Sequence, residues 1–113
     1  MQPLERIAQL HKLSKVYAKA KAETEYLKHF RKSKLAMLKA EYLKEDSKRS
    51  NAACDDLARA SCEYIEVLVG LKAAIEASEA AFWELSISKA GIQIWQTQES
   101  TKRAEMQMNG HQV

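Results

Sequence analysis

Apolar and small residues in the first part of the chain recur three and four positions apart. Leu13, Tyr17, Ala20, Thr24, Leu27, Arg31, Leu35, Leu38 and Tyr42 make one such row, and residues so spaced share one face of an α-helix. Leu4, Ile7 and Leu10 extend the row toward the N-terminus with a slight drift. The spacing predicts a first helix over about 3–44 that opens at Pro3, where a missing amide hydrogen costs nothing because the first turn leaves it unpaired anyway. The row then stops at Glu45-Asp46-Ser47-Lys48-Arg49-Ser50, a polar stretch that predicts a loop over 45–50.

Ser50 and Asn51 are good N-cap types, and Asp55 and Asp56 follow in the first turn, where the helix dipole favours negative charge. A second helix therefore starts near residue 51. Its row is Cys54, Leu57, Ser61, Tyr64, Leu68, Leu71, Ile75, Ser78, Phe82, Leu85, Lys89 and Ile92, with steps of three and four throughout. That is a coiled-coil seam held for about five heptads. The helix is predicted to reach about residue 99, with a frayed polar tail ending in Asn109-Gly110-His111-Gln112-Val113. Gly70 sits off the row and marks either a close approach of another backbone or a tolerated helix glycine.

A short loop makes the two helices antiparallel neighbours. The fold class expected is all-α, a long antiparallel two-helix hairpin in a single domain. Such a hairpin has one seam, yet a second apolar set lies off it: Tyr26, Phe30 and Met37 on the first helix, and Trp83, Ile87, Ile94 and Trp95 on the second. Aromatic surface of this size left in water marks an interface. The expected partner is a second copy, two hairpins making a four-helix bundle. The alternative is a first helix bent back on itself in a three-helix monomer.

Composition narrows the picture. Apolar residues are 46% and charged residues 29% of the chain, a balance that argues against disorder. Three glycines and one proline are too few to turn the corners of a many-stranded β fold. No apolar run approaches the roughly 18 residues of a membrane span, and the opening Met1-Gln2-Pro3-Leu4-Glu5-Arg6 lacks the basic-then-apolar order of a signal peptide. A cytoplasmic protein with no membrane partner is expected. Cys54 and Cys62, eight residues apart in one helix, would stand about 12 Å apart along its axis, too far to bridge. Both are read as small buried residues.

Charge is unevenly divided. Residues 1–50 hold thirteen Lys and Arg against six Asp and Glu, whereas residues 51–113 hold five against nine. A basic helix against an acidic one fixes an antiparallel pairing. Lys28, Arg31, Lys32, Lys34 and Lys39 also lie among Tyr26, Phe30 and Met37, and basic residues interleaved with aromatics make a candidate nucleic-acid surface. Wheel angles separate Lys21, Lys28, Lys32 and Lys39 from Lys12, Lys15, Lys19, Lys34 and Lys44, on opposite flanks of the seam. The leading reading is therefore solvated flanks, with nucleic acid the alternative. His11, His29 and His111 have no His or Cys three or four residues away, so no zinc set assembles on one helix face. No Gly-rich phosphate loop is present, and neither an enzyme nor a cofactor is expected.

Glu25-Tyr26-Leu27-Lys28-His29-Phe30-Arg31-Lys32-Ser33-Lys34-Leu35-Ala36 resembles a segment of small helical proteins encoded by tailed bacteriophages. Ala81-Phe82-Trp83-Glu84-Leu85, with Ile94-Trp95-Gln96-Thr97-Gln98 and Lys102-Arg103-Ala104-Glu105, is similar to the ending of the same group. Where that ending carries Arg after the tryptophan, this chain has Gln96. The resemblance implies a phage accessory protein in an infected bacterial cytoplasm, encoded among replication and recombination genes, with no assigned activity. The expected function is a non-enzymatic, self-associating adaptor that binds a phage or host protein of DNA metabolism. Direct nucleic-acid binding and inhibition of a host nuclease or defence complex are the alternatives.

Overall fold

A computed structural model describes residues 2–111, and among them there are three helices and no strand. They are α1 (Pro3–Glu45), α2 (Asn51–Ala60) and α3 (Cys62–His111). The all-α hairpin expected from the spacing is present, and the chain gathers into two compact units. Ala18–Glu79 forms one, and the described residues before and after it form the other. Among the described residues no helix is long and apolar enough to cross a membrane.

In the 18–79 unit the loop is built from side chains that satisfy the helix ends. Asp46 N–H and an Arg49 guanidinium N–H both donate to the Tyr42 carbonyl, at 3.2 and 2.9 Å, and the Arg49 guanidinium lies over the Tyr42 ring at 5.7 Å. Asp46 Oδ1 accepts from Lys48 N–H at 3.1 Å, and Ser50 Oγ caps α2 by accepting from Ala53 N–H at 3.1 Å. The chain returns beside α1: Thr24 of α1 meets Ala74 of α3, and farther along Lys34 meets Glu63. Rising numbers on one helix against falling numbers on the other make the pair antiparallel. The core, at the loop end, is Leu38, Ala58 and Tyr64, with Leu35 and Tyr42 packed on it.

The α1 row lies where the spacing put it, since all nine residues from Leu13 to Tyr42 are half-buried or buried. Of its N-terminal extension only Leu10 does. Leu4 and Ile7 are exposed, while Pro3, Arg6 and Leu10 carry the inward face to the helix start. The predicted drift went the wrong way around the helix.

The second row is half right. Tyr64, Leu71, Ser78, Leu85 and Ile92 face inward, one per heptad. The other position in each heptad falls one residue earlier than predicted: Val67, Ala74, Ala81 and Ser88 turn inward, whereas Leu68, Ile75, Phe82 and Lys89 are exposed. In α2 the fully buried residue is Ala58, and Leu57 is exposed. Small residues on the contact line let the backbones approach. Thr24 Oγ1 shares its hydrogen between its own helix, at the Ala20 carbonyl 3.0 Å away, and α3, at the Ala74 carbonyl 3.1 Å away. The bulky Leu68, Ile75 and Phe82 lie at the edges of the contact.

The predicted second helix is also broken, at Ser61, which is extended (φ −68°, ψ 147°). Its Oγ donates to the Ala58 carbonyl at 2.7 Å and accepts from Tyr64 N–H at 3.2 Å. One serine thus ends α2 and caps α3. Past the break Cys62 is exposed, against the expectation that both cysteines are buried, while Cys54 is buried; both are free. Among the described residues no other backbone closely approaches Gly70, which leaves the tolerated helix glycine of the two readings within this chain.

In the other unit Ala81 and Leu85 are buried and Leu10, Leu13 and Tyr17 half-buried. The Tyr17 and Phe82 rings meet at 5.8 Å, and an Arg6 guanidinium N–H donates to the Gly91 carbonyl at 3.4 Å. With Arg6 beside Gly91, α1 begins too late to cover the end of α3. Residues 100–110 are helical and exposed, whereas the sequence predicts a frayed tail beyond about residue 99; the Gln112 and Val113 part of that expectation lies outside the described residues. The uninterrupted α1 also replaces the bent-helix alternative.

The register predicts unequal costs for two similar truncations. Leu71 is 7% exposed and Leu68 37%, so Leu71→Ala should lose about 2–5 kcal/mol and Leu68→Ala less than half as much. Urea unfolding of both variants measures this. Equal losses would restore the seam to Leu68.

Candidate functional site

The candidate interface residues fall into two groups, one in each unit. In the 18–79 unit, Tyr26, Phe30 and Met37 are exposed on α1 at spacings of four and seven, which place them on one face. The Tyr26 and Phe30 rings stack with centroids 6.0 Å apart and planes inclined by 17°. Beside Phe30 a shallow groove of about 320 Å³ is lined by Leu27, Lys34, Glu63, Glu66, Val67 and Gly70.

In the other unit Trp83, Ile87 and Ile94 are exposed on one face of α3, again four and seven apart. Trp83 meets the Phe82 ring edge-on at 5.6 Å. Ile87 borders a groove of about 510 Å³, which Arg6, Gln9 and Leu13 close from the α1 side. Arg6 Nε is buried there without a hydrogen-bond partner. Trp95, grouped with these residues by sequence, is instead half-buried, one turn beyond Gly91 on the inward side of α3.

The candidate nucleic-acid residues are largely engaged within the chain. Lys34 pairs with Glu63 at 3.0 Å, Lys39 with Asp55 at 3.7 Å and Lys28 with Glu25 at 3.4 Å. Arg31 is half-buried in the seam; Lys32 is exposed with no carboxylate partner among the described residues. Two of these pairs run from basic α1 to acidic α2 and α3, which is the complementarity expected from the charge division. A sequence row cannot reveal them, because the carboxylates lie on other helices. Among the described residues no three His, Cys, Asp or Glu side chains converge as a metal site would require.

Asp55 is the most connected of these carboxylates. Arg59 Nε donates to it at 2.8 Å and Lys39 stands 3.7 Å away. The Arg59 hydrogen bond and charge, with Lys39 adding to them, hold the Asp55 carboxyl below its ordinary value. A carboxyl depressed by folding contributes stability that is present above its unfolded pKa, about 3.9, and is lost as pH falls through the folded value. Urea midpoints measured from neutral pH into acid should therefore fall less steeply for Asp55→Asn than for the wild type. Identical slopes would remove this cluster from the stability of the α1–α2 contact. Compared with protein-family models, curated proteins and solved structures, the chain matches none.

Proposed function

We propose that this protein is a non-enzymatic, self-associating helical adaptor that captures another protein through exposed apolar helix faces. One observation carries the reading: large apolar side chains stand exposed along one helix face in each unit, Trp83, Ile87 and Ile94 in one and Tyr26, Phe30 and Met37 in the other. Interfaces are enriched in such aromatic and methionine side chains. The resemblance of residues 25–36 and 81–105 to phage accessory proteins makes a phage or host protein of DNA metabolism the proposed partner, and the bacterial cytoplasm the proposed location.

Trp83 separates capture of a protein from contact with nucleic acid. It is exposed, so Trp83→Ala should keep stability within about 0.5 kcal/mol while removing the partner recovered with tagged protein from phage-infected cells. Lys28→Glu with Lys32→Glu should leave that capture intact. Phosphate-driven binding falls with salt at a log–log slope of about −0.9 per duplex phosphate neutralised, and the wild type should hold DNA and RNA probes only weakly at physiological salt. Submicromolar probe binding at that salt, lost in the double charge reversal, would replace the adaptor with a nucleic-acid binder.

A further inference from the structure

We infer that a second copy of this chain docks on the Tyr26–Phe30–Met37 face, with the two α1 helices running antiparallel. This deepens the adaptor reading by naming the occupant of one face. The ends of the face carry the information. Glu23 precedes the aromatic pair, Glu41 and Lys44 follow Met37, and the steps from 23 to 26 to 30, and from 37 to 41 to 44, are all three or four. These residues therefore continue one stripe. All six are exposed, and none of the three charged ones has an ion-pair partner among the described residues.

A parallel pairing in register would set Glu23 on Glu23 and Lys44 on Lys44, which like-charge repulsion opposes. Turning one copy about a two-fold axis sets unlike groups together. Glu23 with Lys44, Tyr26 with Glu41, and Phe30 with Met37 all share one midpoint, between Ser33 and Lys34. A single axis therefore satisfies an ion pair, a phenol–carboxylate hydrogen bond and a sulfur–aromatic contact, each made twice as two-fold symmetry requires. The axis itself is not burdened with bare charge, because Lys34 is neutralised by Glu63 at 3.0 Å within its own copy. The stacked Tyr26 and Phe30 rings, 17° from parallel, hold each other in place as an exposed aromatic pair.

The test is sedimentation equilibrium of the purified full chain at micromolar concentration, for the wild type, Glu23→Lys, Lys44→Glu and the combined Glu23→Lys/Lys44→Glu variant. The wild type should show twice the 12.8 kDa chain mass. Each single reversal puts like charges together at both symmetric positions and should weaken the dimer by about tenfold or more, and the combined variant should return to near wild-type affinity. Helicity should be unchanged throughout, since both side chains are exposed. A dimer indifferent to the single reversals, tightened by Glu23→Lys, or not rescued in the combined variant would overturn this docking while leaving self-association through another face. A wild-type monomer over the same range would overturn both, and capture of a different protein through Trp83 is read separately.

Discussion

Close approach of two helices along a line of small residues is the constraint on which the rest of the structure depends. Thr24 reaches across to the Ala74 carbonyl at 3.1 Å, a distance available where a small side chain of one helix faces a small residue of the other. Val67, Ala74, Ala81 and Ser88 keep that line thin on α3. The consequence is a modest interior. The buried apolar residues are Leu38, Cys54, Ala58, Tyr64, Leu71, Ala81 and Leu85, and no large side chain is fully enclosed. A contact this narrow leaves Leu68, Ile75 and Phe82 at its edges and displaces other large apolar groups to the outer faces. In this account the exposed aromatic surface follows from the same small residues that bring the backbones together.

Electrostatics orients what packing leaves loosely specified. Narrow contacts between helices rich in alanine slide easily, because one small residue resembles the next. The cross-helix pairs Lys34–Glu63 and Lys39–Asp55 favour one register, and the loop fixes the turn through Arg49, which hydrogen-bonds to Tyr42 at 2.9 Å. Partly exposed pairs of this kind contribute little energy each. Their value lies in disfavouring alternatives, since a slip of one heptad would part both pairs.

How much was legible in the sequence depended on residue size. Along α1 the row from Leu13 to Tyr42 could be read outright, because its large apolar members sit on the contact face. Along α3 the large residues misled, since Leu68, Ile75 and Phe82 drew the row one position past Val67, Ala74 and Ala81. Alanine gives a weak signal in a hydrophobic pattern, although it is the residue that permits the closest packing. Ser61 was invisible as a break for a related reason: it fell in step with the row, and its capping role exists only in the folded backbone. Tyr26, Phe30, Met37, Trp83, Ile87 and Ile94 were recognisable as surplus to the seam, whereas Trp95 was grouped with them although it is half-buried. The basic cluster looked freer in sequence than it is, because the carboxylates facing Lys34 and Lys39 come from other helices.

The central claim, a proposal, is that self-association through exposed apolar helix faces adds to the stability of this folded chain. The direct measurement is the thermal unfolding midpoint of the purified wild type over a hundredfold range of protein concentration. Coupled folding and association stabilise by mass action, so the midpoint should rise steadily with concentration. A midpoint constant over that range, with two-state unfolding of a monomer, would contradict the account and show that the narrow seam suffices by itself.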